Sequence, residues 1–161
     1  MAKRKIIKIG EEKLRKTSRE VTQFDLRLKL LIKDLSRTMY DAGGVGLAAP
    51  QVGILKRVIV VDVGKGLFEL VNPEIVSAEG EQEGEEGCLS IPGRAGIVRR
   101  PMKVVIKAQD FRGQPVEVKA DGFLARAFCH EIDHLNGILY VDKMERELTE
   151  EELEARNKKG S

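Results

Sequence analysis

Between Thr22 and Asp41 the apolar residues Phe24, Leu28, Leu31, Leu35 and Met39 recur at threes and fours. That spacing predicts an amphipathic helix, with Thr22 and Asp25 as its cap. Gly43-Gly44 predicts its end, because glycine tolerates the left-handed turn that follows a helix. The pattern then turns to β. Arg57 to Val63 is rich in β-branched residues and predicts a strand buried on both faces. Phe68 to Asn72 predicts a second strand, stopped by Pro73, and Ile75 to Ala78 a third. Lys103 to Asp110 and Pro115 to Ala120 alternate apolar and polar residues across Phe111-Arg112-Gly113-Gln114, which predicts a hairpin. Helical spacing returns from Gly122 to Leu135, with Phe123, Ala127, Phe128 and Leu135 on or near one face, and Asn136-Gly137 ends it.

Between these elements the signals are polar. Glu79 to Glu85 is acidic and glycine-rich, which predicts a solvated loop or edge, and Ile91-Pro92-Gly93 predicts a turn. Thr149 to Lys159 predicts a polar helical tail, capped by Thr149, acidic at Glu150, Glu151 and Glu152, and basic at Arg156, Lys158 and Lys159. A solvated surface helix is the favoured reading of that tail over a docking element. The order of elements predicts an α+β fold: antiparallel β-sheets packed around the second long helix, with an N-terminal helix and a C-terminal polar helix. Residues 1–148 read as one domain and 149–161 as the tail.

Composition narrows the class without deciding it. The 161 residues carry 28 basic and 26 acidic side chains, a net charge of +2, so nothing pulls the chain toward DNA or anionic membrane. No apolar run approaches the roughly 18 to 20 residues of a membrane-spanning helix. Lys8 and Gly10-Glu11-Glu12 cut the opening apolar stretch too short for a signal peptide. Cys88 and Cys129 make no disulfide framework, so the expected compartment is a reducing cytoplasm.

The chemistry concentrates in the second helix. Both histidines of the chain stand there, as His130-Glu131-Ile132-Asp133-His134. Positions i and i+4 share a helix face, so the two imidazoles can converge on one metal ion. Glu131, rotated about 100° from His130, can reach a water on that metal without becoming a ligand. A hydrolytic site needs a third ligand and an open position. Cys129 is turned away from the histidine seam, whereas Cys88, between Gly87 and Leu89 before a turn, can meet the helix face. Gln51 closes Gly44-Val45-Gly46-Leu47-Ala48-Ala49-Pro50-Gln51, and its neutral side chain can polarise a carbonyl without competing for metal. Val45, Phe123 and Ala127, near these motifs, are candidates for an apolar substrate pocket, with the stem of Arg94 at its rim. Asp133 and Glu86 are candidates to orient the site, Glu86 by pairing with Arg99 or Arg100.

GVGLAAPQ, EGCLS and HEIDH, in that order, resemble the signature of the peptide deformylases, and the likeness runs from about Lys8 to about Met144. The resemblance implies a hydrolase that removes the formyl group from the N-terminal formylmethionine of newly made proteins and releases formate. It implies Cys88, His130 and His134 as ligands of one divalent metal, Fe(II) in the native enzyme, with Zn, Ni or Co able to occupy the site as isolated. Glu131 becomes the general acid/base for water attacking the formyl carbon, and Gln51 with the Leu89 N–H the oxyanion donors. Gly44, Val45, Gly46 and Gly87 would supply backbone that pairs with the peptide. The family often has glutamine where Cys129 stands. Action on nascent chains at the ribosome follows from the same likeness. Two rivals remain: an HExxH metalloendopeptidase taking its third ligand from Glu151, Glu152 or Glu154, and a metal-stabilised binding module without catalysis.

Overall fold

In a computed structural model, which describes residues 3–160 and side chains as far as Asn157, the chain builds two antiparallel sheets around one buried helix. The side chains of Lys158 and Lys159, the basic end expected of the tail, lie outside those described, and Met1, Ala2 and Ser161 lie outside the described residues.

Helix α1 spans Leu26–Asp41. It starts later than the periodicity alone predicts, because Asp25 and not Thr22 caps it: the Asp25 carboxylate accepts from the Leu28 N–H at 3.1 Å. Gly43 follows its end at φ +71°, the left-handed geometry expected there. The larger sheet takes β1 (Gly46–Ala48), β2 (Val58–Val61), β3 (Phe68–Glu79), β6 (Lys103–Gln109) and β7 (Pro115–Asp121), in the order β1-β2-β3-β6-β7. The smaller takes β4 (Gln82–Cys88), β5 (Ile91–Arg100) and the short β8 (Arg146–Glu147), in the order β4-β5-β8.

Two expectations fail where local signals were overridden. Pro73 does not stop a strand; β3 runs through it, with a register shift between Val71 and Glu74. Asn72 supplies the bulge, at φ +52°, and its side chain exchanges hydrogen bonds with the Val21 backbone at 2.8 and 2.9 Å. A proline without N–H is tolerated at such a break in the ladder. Ile91-Pro92-Gly93 is likewise strand, and the turn falls at Leu89-Ser90, where Cys88 pairs with Ile91. The acidic stretch is an edge strand from Gln82 onward, with Glu86 buried.

Helix α2 (Gly122–Leu135) packs on β1, β2 and β7. Phe128 and Leu135 of α2 are fully buried with Ile59, Val61 and Ile106. Phe128 meets Phe68 edge-on, centroids 5.3 Å apart, and burying such a ring contributes about 1.5–3 kcal/mol. Phe123 leaves this core and is 55% exposed. The other side of β2 packs against α1 through Leu28, Leu31, Leu35 and Met39. A third cluster, with Leu14, Ile91, Val98, Leu139 and Tyr140, lies beneath the smaller sheet and the short helix α3 (Tyr140–Lys143). Helix α4 (Glu150–Gly160) closes the chain against β5.

Candidate active site

β1 lies at one end of the larger sheet and β4 at one end of the smaller, so each has an edge without a strand partner. Residues of both strands line one cleft of about 350 Å³, whose floor is α2. Glycines 44, 46 and 87 stand along its walls, where backbone can approach a ligand closely. A Cβ on Gly46 would come within 2.5 Å of the Glu131 carboxylate, so the floor residue fills the space that glycine leaves.

Cys88 Sγ and one ring nitrogen each from His130 and His134 lie within 4.8 Å of one another. Cys88 Sγ stands 3.4 Å from His134 Nε2. The register shift between Glu86 and Cys88, at Gly87, aims both side chains at α2. His130 Nδ1 donates to Glu86 Oε1 at 2.9 Å, which leaves Nε2 as the free ring nitrogen. One soft sulfur and two imidazoles are a donor set that suits a divalent transition metal, and the three atoms are close enough to share one. Burial and the neighbouring His130 push His134 well below its usual range, which keeps that ring neutral and able to ligate. Burial acts on His130 in the same sense, but Cys88 and Glu86 outweigh it and hold that ring well above its usual range.

Glu131 is buried beside these groups, and its Oε1 has no hydrogen-bond partner among the described residues. Burial pushes its carboxyl up to about 7, with Glu86 and Asp133 adding to the push against His130 and Arg100. Gln51 Oε1 accepts from the Ala48 N–H at 3.0 Å, and its Nε2 donates to Ser90 Oγ at 3.0 Å and faces Cys88 Sγ at 3.5 Å. The amide is thereby fixed with its donor end toward the sulfur. Leu89 occupies the hairpin turn on the same cleft wall.

Behind the histidines runs a buried ionic chain. Glu86 accepts from Arg100 Nε and Nη2, both at 2.8 Å, and from Arg126 Nη1 at 2.6 Å. Arg100 Nη1 donates to Asp133 at 2.6 Å, and Lys143 also reaches Asp133, at 3.0 Å. Burial alone would raise the Glu86 carboxyl, but Arg100 and His130 outweigh it and hold it well below the usual carboxylate range. Of the two arginines anticipated for Glu86, Arg100 takes the place; Arg99 turns outward to Glu145 at 2.7 Å. Arg126 and Ser90 were not anticipated. Both carried a signal, Arg126 in lying four residues before His130 on one helix face and Ser90 in closing the EGCLS motif.

Val45, Ala127 and the exposed Phe123 all line the cleft, as does Arg94. The Arg94 guanidinium, however, is held by both oxygens of Glu147, at 2.8 and 2.9 Å. Cys129 faces the core, away from the cleft, and burial pushes its thiol up to about 11. Glu152, one of the alternative downstream ligands, is held by Arg146 through two bonds of 2.7 and 2.8 Å.

Residues 3–150 match the family model described as polypeptide deformylase. The chain belongs to the polypeptide deformylase family. It is 56% identical over 160 residues to the peptide deformylase of Caldicellulosiruptor bescii, covering 99% of this chain and 96% of that protein. The crystal structure of the Thermotoga maritima peptide deformylase superposes with a TM-score of 0.89 at 43% identity, over 91% of this chain and 100% of that one. The Synechococcus elongatus peptide deformylase, solved in complex with actinonin, gives 0.86 at 43% identity, over 99% of this chain and 88% of that one. As a polypeptide deformylase the chain is an enzyme, and the family's reaction is removal of the N-formyl group from new polypeptides. The family is one of metalloenzymes, and the cluster of Cys88, His130 and His134 offers a metal site. Among the described residues no helix is long and apolar enough to cross a membrane.

Proposed function

We propose that this chain hydrolyses the formamide of N-terminal formylmethionine, with Cys88, His130 and His134 holding one divalent ion, Fe(II) in the native protein. The observation that carries this reading is three ligand atoms within 4.8 Å at the floor of a cleft shared with Glu131 and Gln51. A divalent ion there supplies Lewis acidity for the formyl oxygen and lowers the pKa of a water it holds. Zn, Ni or Co fit the same donors, since ligand type alone does not select among them.

The peptide enters extended, as an added strand between the free edges of β1 and β4, pairing with Gly44, Val45, Gly46 and Gly87. Its methionine side chain lies toward Val45, Phe123 and Ala127, with Arg94 at the rim. Glu131 takes the proton of the attacking water and passes it to the departing amine. The Gln51 amide and the Leu89 N–H donate to the oxygen on which charge develops; losing one such donor typically costs about 2.7–4 kcal/mol of transition-state stabilisation. Discrimination against acetyl is steric, because a methyl in place of the formyl hydrogen overfills a rigid site. Reaction on chains emerging from the ribosome, in a cytoplasm that keeps Cys88 and Cys129 reduced, completes the reading.

Metal analysis of anaerobically purified protein, paired with formate release from a formylmethionyl peptide, tests it. Glu131→Ala should keep the metal and lose nearly all turnover, whereas Cys88→Ser should bind metal far more weakly. Full turnover by metal-replete Glu131→Ala protein would remove that carboxylate from its role, and an unchanged metal content in Cys88→Ser would remove the sulfur.

A further inference from the structure

We infer that Arg156, from the tail helix, is a specificity-determining residue that recognises a carboxylate on the peptide just beyond its methionine. The inference rests on the deformylase reading above, which sets where the peptide lies. Arg156 lines the cleft, and its guanidinium stands over Gly87: a Cβ built there would meet Nη1 at 2.9 Å and Nη2 at 3.3 Å. Gly87 adjoins Cys88 on the free edge of β4. With the formyl group at Cys88 and a strand rise of about 3.3 Å per residue, the one or two residues after methionine pass beneath that guanidinium.

The placement of Arg156 is built, not accidental. Thr149 and Glu152 cap the start of α4 reciprocally, Glu152 N–H to Thr149 Oγ1 at 3.2 Å and Thr149 N–H to Glu152 Oε1 at 3.0 Å. Glu152 is pinned in turn to Arg146 of β8. Arg156 lies four residues after Glu152, on the same helix face, and so is carried back over the cleft.

Among the described residues Arg156 makes no hydrogen bond, unlike the other two arginines that line the cleft. Arg94 is held by Glu147 through two bonds, and Arg126 is buried against Glu86. Its one ion-pair partner among the described residues is Glu85, whose carboxylate stands 3.7 Å from Nε, beyond hydrogen-bond reach, with side-chain exposures of 38% and 46%. A planar guanidinium with unused donors matches a carboxylate bidentately, a tighter arrangement than the loose pair it replaces.

The test compares kcat/KM for three peptides with amidated C-termini: formyl-Met-Ala-Ser, formyl-Met-Asp-Ser and formyl-Met-Ala-Asp. The free acid of the first reads a terminal carboxylate as the source of charge. A half-exposed ion pair predicts a preference for an acidic peptide of about two- to fivefold, carried by KM and reduced by added salt. Arg156→Ala should bring the acidic-to-neutral ratio to about one and Arg156→Glu should invert it, with Arg156→Lys in between. An unchanged ratio in Arg156→Ala, or equal losses on every peptide, would overturn the assignment and leave α4 a structural element. Formate from the neutral amide with a flat ratio overturns the assignment alone; no formate from any peptide overturns the deformylase reading with it.

Discussion

The His130 ring and the Glu86 carboxylate meet at 2.9 Å across 44 positions of sequence, and this contact ties β4 to α2 beside the ligand atoms. The carboxylate is shared, since Arg100 and Arg126 use its remaining lone pairs. One carboxylate thus pairs with two buried guanidinium groups, Asp133 sharing the charge of Arg100, and also fixes the orientation of an imidazole. Removing a single partner of a buried ion pair strands the others, which is why such networks are costly to break although they add little to net stability when intact.

Glu86→Gln should therefore lower unfolding stability by about 3–5 kcal/mol. It should also weaken metal binding about 10- to 100-fold, because the one oxygen left on the amide cannot accept from His130, Arg100 and Arg126 together, and the ring is held less firmly. Denaturant unfolding and competition with a chelator measure the two effects separately. Unchanged values in both would show that Arg100 and Asp133 hold the site without Glu86.

Gly46 makes a second prediction through the space it leaves. A methyl at that position would stand 2.5 Å from Glu131 Oε2 and 2.9 Å from its Cδ, and the surrounding strand is fully buried. Gly46→Ala must displace the carboxylate or the strand, and overpacking of this kind costs about 1–3 kcal/mol. Formate release should fall by more than the loss in stability explains, while metal content persists. A variant that melts normally and turns over at the native rate would show that Glu131 works equally well from a second position.

Much of this architecture was legible because local and tertiary preferences agree. Helix α2 appears with the boundaries that its spacing predicts, from Gly122 to Leu135, since the apolar stripe that marks a helix is also the face it buries. The hairpin of β6 and β7 was legible for the same reason. Where preferences conflict, tertiary structure wins. Pro73 and Ile91-Pro92-Gly93 carry turn chemistry, yet lie in strands because Asn72 absorbs the irregularity in one case and a two-residue turn at Leu89-Ser90 precedes the other. Motifs brought the cysteine, histidines and glutamine into view. They included Ser90 without disclosing that it fixes the Gln51 amide, and they left out Arg126, whose partner Glu86 lies 40 positions away. The tail was favoured as a solvated helix, yet its Arg156 reaches the cleft, a placement set by the Glu152–Arg146 pair and invisible to periodicity.

That pair gives the last prediction. The Arg146 guanidinium and the backbone N–H of Thr149 hold the half-exposed Glu152 carboxyl down at about 2. A carboxyl whose folded pKa lies below its unfolded value, about 4.3 for glutamate, binds fewer protons when folded. Its contribution to docking of the tail is therefore complete above about pH 4.3 and is lost as pH falls through about 2. Amide exchange across α4 should show protection that is steady at neutral pH and fades in that acid window. Arg99 and Arg94 hold Glu145 and Glu147 low as well, so acid loosens more than one tie of β8. Comparison with Glu152→Gln isolates the effect, because a neutral amide cannot titrate: its tail should be less protected at neutral pH and lose less protection than the native tail between about pH 4.3 and 2. Equal pH profiles in the two proteins would mean that the Glu152–Arg146 pair does not hold α4, and that the position of Arg156 over the cleft is set by other contacts.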